Sequence, residues 1–181
     1  MPFADLTPTT APPASRRAME AVTERLGYLP AAVARLAASP HALDGFLKIS
    51  AIFDACTLDP LSREVVVMTM ATRNDCHVCV AMHTAKLTGA GAGPALIAAL
   101  REGTQAPLPD ESLDAVRRFT LAVLASAGAA DDVDLRDFLA YGYTEQNALE
   151  VVLGIGAYTL STLANRLTGA PVDEQLASFA G

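Results

Sequence analysis

The stretch EVVVMTMATRNDCHVCVAMH, residues 64–83, holds most of the reactive side chains of this 181-residue chain. It contains two of the three cysteines and two of the three histidines. Glu64 stands twelve positions before Cys76, Cys79 follows three residues later, and His83 four residues after that. We therefore expect any chemistry to be located here, and helical packing to account for most of the remaining sequence.

Composition predicts an all-α protein. Hydrophobic residues make up 51% of the chain, aromatic residues only 6%, and tryptophan is absent. The apolar content is therefore mainly Ala, Leu and Val, and Ala and Leu are the best helix formers. The β-branched run 65–67 could suggest a strand, but it is short and no other segment offers a pairing partner. The length suits one domain, which we place at 14–181 after a proline-rich, extended N-terminal arm at 1–13.

Helix start and stop signals predict about eight to ten helices, among them a central apolar helix that has Asp59 as its cap and Pro60 at its first position. Gly154 and Gly156 lie inside the last long helix, where glycine is unfavourable and usually permits close helix approach, either within the fold or between subunits. The predicted helices cover approximately 15–26, 30–38, 40–55, 60–73, 76–88, 93–102, a segment from a cap at Asp110 or Ser112 to 127, 131–141 and 145–167, with a short helix after Pro171.

Charge and hydropathy limit the classes of partner. The formal net charge of −7 argues against nucleic acid or an anionic membrane, because either requires clustered Lys and Arg. Uninterrupted apolar runs are far shorter than the ~20 residues that span a bilayer. The N-terminus lacks the features of a signal peptide. We expect a cytoplasmic protein, in which a reducing environment keeps the cysteines as thiols.

The spacing in 64–83 predicts a cluster of reactive groups. Offsets of three and four residues place Cys76, Cys79 and His83 on one face of a helix. Asn74 and Asp75 are predicted to cap this helix, so that Cys76 falls in its first turn, where the helix dipole favours an anion. His83 lies one turn from Cys79, close enough to take its proton directly or through a water. Glu64, on the preceding and presumed antiparallel helix, would orient the imidazole and raise its basicity.

These groups suit two-electron thiol chemistry. One cysteine attacks a peroxide oxygen and becomes a sulfenic acid, the other condenses with it to a disulfide, and an external dithiol reduces the pair. Two other interpretations remain open. The same four side chains could bind zinc, although a structural zinc CxxC usually has a second ligand pair, and only Cys56 and His41 remain elsewhere. Both cysteines of the pair could also be buried core residues.

The pattern Glu64, eleven residues, Cys76, two residues, Cys79, three residues, His83 resembles the E-x11-C-x2-C-x3-H signature of the AhpD-like superfamily. This superfamily comprises proteins similar to alkyl hydroperoxidase D and carboxymuconolactone decarboxylase, and the similarity is closest to its peroxidase-related branch. The resemblance extends from about residue 27 to residue 171. Flanking segments that agree with it are LDPLSRE, GYLP and SP, at 58–64, 27–30 and 39–40.

The resemblance implies an AhpD-like helical fold and an antioxidant, thiol-dependent peroxidase that reduces alkyl hydroperoxides or H2O2. Cys79 would be peroxidatic and Cys76 resolving, together forming a redox-active disulfide, with His83 and Glu64 as the proton relay. The helix dipole alone favours Cys76 as the nucleophile. A base one turn away should outweigh a dipole effect of about 0.3–1 kcal/mol.

The resemblance also implies the partners. We expect a small peroxide substrate and an external dithiol reductant, such as a lipoylated or thioredoxin-like protein. The site needs no cofactor and no metal. The chain should form homo-oligomers, as a dimer, trimer or hexamer.

One position departs from the family pattern. The best-known peroxidases of the family carry a histidine just before the second cysteine, where this chain has Val78, which lowers the expected peroxidase rate. His77 appears instead, about 100° around the helix from Cys76, and is predicted to lie on the surface. We expect Cys56 to be a buried small hydrophobe and His41 to lie at an exposed helix N-terminus. Asn165 could reach either the site or an interface, and the four tyrosines could line a pocket or pack in the core.

Two other functional classes are consistent with this pattern. A lactone decarboxylase, or another proton-transfer enzyme, would use Glu64 and His83 as acid–base groups and would not need two thiols. A non-enzymatic, oligomeric zinc or redox-sensing helical module is the other alternative.

Overall fold

Residues 60–73 form a helix that is buried on nearly every side. Pro60 occupies its first position, and the side chain of Asp59 accepts hydrogen bonds from the amides of Leu61 and Ser62. The segment 65–68 is at most 1% exposed. The predicted central helix is therefore confirmed, with the predicted start at Asp59 and Pro60.

The structure is a computed structural model that describes residues 3–103 and 107–180. Within these residues the chain forms nine α-helices, one 3₁₀ helix and no strand, which confirms the all-α prediction and the expected number of helices. Residues 1–2 of the predicted arm and residue 181 of the predicted domain lie outside the described residues. The helices are α1 (Pro13–Leu26), α2 (Ala31–Leu36), α3 (Pro40–Asp54), α4 (Pro60–Arg73), α5 (His77–Gly89), α6 (Pro94–Arg101), α7 (Glu111–Ala125), α8 (Asp132–Ala140), α9 (Glu145–Thr168) and the 3₁₀ helix Glu174–Phe179.

Helix α4 lies at the centre of the main core, where α5, α7 and α9 pack against it. A second, smaller core joins α1, α2 and the start of α3, and includes Met19, Val33 and Leu43. A third cluster contains Cys79 of α5 and Cys76, which lies directly before that helix. The arrangement places the reactive helix between the main core and the N-terminal helices.

The N-terminal segment is attached to the domain by polar contacts. Asp5 forms an ion pair with Arg35 at 2.6 Å, and Arg35 also donates to the carbonyl of Thr168 at the end of α9. Ala11 is buried in the second core. Helix α1 begins at Pro13, and the division of the chain into an arm and a domain at this point stays a prediction.

Helix α9 has the length and apolar composition of a membrane-spanning helix. The helix contains no long uninterrupted apolar run, because polar residues such as Asn147 and Glu150 lie within it. It packs against α3, α4 and α7, and 44% of its most apolar window is buried within the domain. Core helices of folded domains commonly have these properties.

Gly154 permits α9 to pack closely against α3 and α4. A Cβ at this position would lie 2.7 Å from two ring atoms of Phe53 and 2.9 Å from Cγ1 of Val66. Gly156 is exposed instead, and the nearest atom to a Cβ there is Cδ1 of Ile49 at 3.9 Å. The close approach predicted for these glycines is therefore within the fold at Gly154, whereas Gly156 has no such role in a single chain.

Glu150 fixes the loop from which α4 starts. Its carboxylate accepts hydrogen bonds from the amides of Thr57 and Leu58, both at 3.0 Å, and from the side chains of Thr57, Gln146 and Asn147. Burial alone would raise the pKa of Glu150. These hydrogen bonds outweigh that effect and lower the pKa to about 2. The carboxylate therefore holds this loop against α9.

Gly154→Ala should destabilise the protein by about 1–3 kcal/mol, because the new methyl group overpacks the Phe53 contact. The matched control is Gly45→Ala in the exposed middle of α3, where nothing lies within 4 Å of a new Cβ. That control should stabilise by up to about 1 kcal/mol through helix propensity. Urea denaturation measures both variants, and equal effects would contradict the packing role of Gly154.

Glu150→Gln should lower the free energy of unfolding by about 1–3 kcal/mol at neutral pH, since hydrogen bonds to a charged acceptor are lost. The pKa is depressed in the folded state, from 4.5 to about 2. The wild-type advantage is therefore complete above pH 4.5 and is lost as the pH falls toward 2. Denaturant titrations across this range test the prediction, with Glu24→Gln on the exposed face of α1 as the control. A pH-independent difference would contradict it.

Candidate active site

A two-residue turn brings α5 back against α4. The amide of Asn74 donates to the carbonyl of Met70 and so ends α4, and Asp75 has a positive φ of 52°. Cys76 is the extended N-cap residue, and α5 begins at His77. The prediction that Asn74 and Asp75 cap α5, with Cys76 inside its first turn, is wrong. These two residues complete and reverse the preceding helix.

Arg166 of α9 secures this turn. Its guanidinium donates to the carbonyl oxygens of Asn74 and Asp75 at 2.9 and 2.6 Å, and to the Asp75 carboxylate at 2.7 Å. The Asn74 side chain donates to Thr162 on the same helix at 2.8 Å. The start of α5 is thus attached to α9 as well as to α4.

The two thiols are in contact. The Cys76 and Cys79 sulfurs lie 3.0 Å apart, both cysteines are reduced, and the residues are only 2% and 4% exposed. Asn165 on α9 donates from its amide nitrogen to Cys79 at 3.4 Å and to Cys76 at 3.7 Å. The hydroxyl of Ser161 is 3.7 Å from the Cys79 sulfur. The pair can therefore close to a disulfide with little rearrangement, and two donors surround a sulfur anion.

The contact separates the pKa values of the two thiols. Contact with the Cys79 thiol lowers the pKa of Cys76 to about 6 against the effect of burial, and the Cys79 amide and the Asn165 side chain lower it further. Contact with the Cys76 thiol and burial raise the pKa of Cys79. In the resting pair the negative charge is therefore on Cys76 and the proton on Cys79.

Glu64 and His83 form a buried pair between α4 and α5. Nδ1 of His83 lies 2.7 Å from one carboxylate oxygen of Glu64, and Nζ of Lys86 lies 2.6 Å from the other. Burial raises the pKa of Glu64, but His83 and Lys86 together lower it below its ordinary value. Glu64 is therefore ionised and orients the imidazole, as the sequence predicted for this pair.

Among the described residues, His83 makes no hydrogen bond with either thiol. Within residues 3–103 and 107–180, no hydrogen bond joins His83 to Cys79, so the predicted direct proton transfer between them has no contact in this state. The imidazole instead meets the Tyr158 ring edge-to-face, with the ring centroids 5.3 Å apart. Proton transfer between the Glu64–His83 pair and Cys79 therefore requires a bridging water or a bound molecule.

Cys79 and His83 line the same cavity, of about 400 Å³, between α5 and the N-terminal helices. Apolar side chains of the second core, such as Val22 and Leu36, form much of its wall. The reactive end carries Cys79, His83 and Tyr158. A cavity of this size and character accommodates a bulky, apolar molecule beside a thiol.

Cys76 does not line that cavity. It lines two other clefts, of about 270 and 430 Å³, whose rims include Asp75, His77 and Arg166 or Arg101, and the smaller cleft shares Val78 and Asn165 with the cavity. The two cysteines whose sulfurs are in contact therefore line different openings.

The remaining predicted residues occupy different environments. His77 and His41 are exposed, as expected, and His41 lies in the first turn of α3. Cys56 is only partly buried, which corrects the expectation of full burial, because it lies in the loop between α3 and α4 at the edge of the main core. Tyr143 stacks on Phe138 and lies outside the cavity lining.

Sequence reasoning missed Ser161 and Lys86 as site residues. Ser161 stands between Tyr158 and Asn165 at offsets of three and four, the same spacing as the cysteines and histidine of α5. A polar stripe with this spacing in an otherwise apolar helix could have identified the second wall of the site. Lys86 follows His83 by one turn and could have been found in the same way.

The side chains are not arranged as a metal site. Among the described residues, no group of three or more His, Cys, Asp or Glu side chains is placed to hold a metal ion. His83 directs Nδ1 to Glu64, and the thiols are directed to each other. A zinc site built from these four residues would require them to rearrange.

Comparison with known proteins agrees with this description. Residues 37–119 match the model of the carboxymuconolactone decarboxylase family. A search of curated proteins gives no match.

Solved structures share the fold at low sequence identity. The alkylhydroperoxidase AhpD core of a peroxidase-related protein from Ralstonia eutropha JMP134 is 19% identical, with a TM-score of 0.85 over 98% of this chain and 95% of that one. A peroxidase-related protein from Silicibacter sp. TM1040 is 16% identical, with a TM-score of 0.80 over 100% and 95%. A cysteine-to-alanine variant of the debrominase Bmp8, in complex with 2,3,4-tribromopyrrole, is 16% identical, with a TM-score of 0.78 over 99% and 95%. At these identities the comparison establishes the fold.

Alkylation by iodoacetamide should occur first at Cys76, with an apparent pKa of about 6. Asn165→Ala should raise this pKa toward 9, because the amide no longer stabilises the anion. Ser161→Ala is the matched control, since that hydroxyl contacts only Cys79 of the pair, and it should leave the Cys76 titration unchanged. Peptide mass spectrometry locates the label, and earlier labelling of Cys79 would contradict the charge distribution described above.

Proposed function

We propose that the chain is a member of the AhpD-like, carboxymuconolactone decarboxylase superfamily, whose family model matches residues 37–119, and that it is a thiol-dependent peroxidase for organic hydroperoxides. The proposal rests on one observation. A dithiol with a sulfur–sulfur distance of 3.0 Å is located at the end of an apolar cavity beside the Glu64–His83 pair.

In the first step Cys79 attacks the peroxide, because it is the thiol that lines the cavity. Its proton passes to the Cys76 thiolate across the 3.0 Å sulfur–sulfur contact. The Cys79 sulfur then attacks the terminal oxygen of ROOH, the O–O bond breaks, and Cys79 becomes a sulfenic acid while the alkoxide leaves. His83, oriented by Glu64, supplies the proton that converts the alkoxide to the alcohol.

In the second step Cys76 attacks the sulfenic sulfur of Cys79. A disulfide forms, and the hydroxyl leaves as water with the proton that Cys76 received. The sum is ROOH plus two thiols giving ROH, water and one disulfide. Asn165 and Ser161 stabilise the Cys79 thiolate, both when it attacks the peroxide and when it leaves during reduction of the disulfide.

An external dithiol restores the pair, and we place its attack at Cys76, which faces the clefts outside the substrate cavity. The reductant thiolate forms a mixed disulfide with Cys76, Cys79 leaves, and the second thiol of the reductant completes the exchange. Lipoylated or thioredoxin-like proteins have the required chemistry. The reducing cytoplasm is the compartment in which such donors operate.

The cavity gives a second candidate from the same fold. The debrominase Bmp8 structure contains 2,3,4-tribromopyrrole, and an apolar cavity of about 400 Å³ has room for a ring of this kind. The dithiol could deliver two electrons to a carbon–halogen bond, which yields the C–H compound, halide, a proton and the disulfide. Bromide release from 2,3,4-tribromopyrrole under reducing conditions separates this candidate from the peroxidase.

Decarboxylation is a third candidate, supported by the family match and by the oriented His83 as an acid–base group. Activity toward a carboxymuconolactone that survives in a Cys76→Ser, Cys79→Ser double variant would favour it over both thiol reactions.

The decisive assay measures the consumption of cumene hydroperoxide and of H2O2 with dihydrolipoamide or dithiothreitol as the donor. The wild type should prefer the organic peroxide, because the cavity is apolar and much larger than H2O2. Cys79→Ser should lose activity about 100-fold or more, as expected on removal of a nucleophile. Glu64→Gln should lose about 10–100-fold through poorer proton transfer.

Two controls sharpen the result. Cys56→Ser, outside the site, should retain the wild-type rate. Without a thiol donor, Cys76→Ser should consume one equivalent of peroxide and stop at a sulfenic acid that dimedone traps on Cys79. The assignment is wrong if Cys79→Ser keeps the parental rate.

A further inference from the structure

The cavity beside Cys79 continues into a smaller opening, which we call the side cleft. The side cleft has a volume of about 320 Å³ and lies between the end of α1 and the C-terminal half of α3. Arg25, Leu47, Ser50 and Asp54 line both the cavity and the side cleft. Among the described residues, none from α5 or α9 lines the side cleft, so it leads away from the reactive groups.

Most of the surface that the cavity offers to a bound molecule is apolar. Val22, Leu36 and Phe46 lie on its wall. Leu26, next to Arg25 in the sequence, also lines the cavity and is 44% exposed although it is large and apolar. Because covering such surface removes it from water, the cavity favours a ligand with a hydrocarbon body.

Arg25 is a cation without a partner at the junction of the cavity and the side cleft. Its side chain is exposed in the last turn of α1, and within residues 3–103 and 107–180 it makes no hydrogen bond or ion pair. Lys86 also lines the cavity, but it is held by Glu64 at 2.6 Å and by Asp54 at 3.6 Å. An anionic group that enters through the side cleft therefore finds its available counter-charge at Arg25.

The surroundings of Arg25 favour a carboxylate over a phosphate. A guanidinium matches a planar carboxylate with two parallel hydrogen bonds. Asp54 lies in the same shared lining, and its charge is only partly balanced, because Lys86 also serves Glu64. A phosphate dianion would be repelled by Asp54 twice as strongly as a monoanion. One arginine beside one acidic side chain therefore suits a singly charged group.

We infer that Arg25 binds a carboxylate of the substrate, so that the protein acts on hydroperoxides of apolar carboxylic acids, such as fatty acid hydroperoxides. The hydrocarbon body occupies the cavity, the hydroperoxide lies at Cys79, and the carboxylate lies at Arg25. The reaction in this inference rests on the proposed peroxidase function. The binding does not, because Arg25 takes no part in the thiol chemistry and acts as a specificity residue.

Kinetics with linoleic acid hydroperoxide and its methyl ester test the role of Arg25, since the two substrates differ only in the charge at one end. Arg25→Gln should raise KM for the acid about 5–20-fold at an unchanged kcat, as expected when binding common to the ground and transition states is lost. KM for the ester should stay at the wild-type value, which also shows that the variant is folded. Arg25→Lys should recover part of the loss, because it keeps the charge but not the bidentate geometry.

Arg17→Gln is the matched control. Arg17 is an exposed arginine of the same helix and lies outside the lining of the cavity and of the side cleft. Its replacement removes the same charge from the protein and should leave KM for the acid unchanged. Equal effects of the two arginine variants, or an equal effect of Arg25→Gln on acid and ester, would overturn the inference and leave the peroxidase proposal intact.

Equilibrium binding separates this inference from the proposed function. Linoleic acid without a hydroperoxide group binds but does not turn over as a peroxide. Calorimetry should show that Arg25→Gln weakens its binding about 5–20-fold and that Arg17→Gln does not. If this pattern is found in a protein that consumes no hydroperoxide, the peroxidase proposal fails and the carboxylate site stands. If wild type and Arg25→Gln bind the acid equally, the carboxylate site is wrong.

Discussion

The pairing of Glu64 with His83 is the constraint on which the arrangement of the site depends. Helix α4 is buried on nearly all sides, and a carboxylate in such a place is tolerated only with partners of opposite or donating character. Satisfying Glu64 fixes the register of α5 along α4. That register places Cys79 at the end of the cavity and Cys76 beside it, so the reactive cluster follows from neutralising one buried charge.

Most of the fold could be predicted from the sequence. The start of α4 at Asp59 and Pro60 and the capping of α9 by Thr144 depend on local signals, and local signals are read directly from residue order. The start of α5 could not be predicted in this way. Asn74 and Asp75 have the composition of an N-cap, but hydrogen bonds to the preceding helix and to Arg166, distant in sequence, determine their conformation.

The site shows the same division between local and distant information. Offsets of three and four predicted that Cys76, Cys79 and His83 share one helix face, and the tight turn before Cys76 predicted that Glu64 of the preceding helix lies near His83. Ser161 and Asn165 belong to a helix more than eighty residues away, and their contact with the sulfurs depends on tertiary packing. The same packing determines which surface each sulfur faces. The spacing of the two cysteines predicts only that both thiols lie on one face of a helix. It does not show that the two residues line different openings.

The cavity is bounded on one side by the second core, which is built from α1, α2 and the start of α3, and on the other by the helices that carry the reactive groups. The walls that select a molecule and the groups that react with it are therefore encoded in separate parts of the chain. Residues such as Val22 and Leu36 can change in size without altering α4, α5 or α9. One reaction centre can thus acquire a new range of substrates through substitutions confined to the first fifty residues, which makes this fold a versatile starting point for evolution and for enzyme engineering.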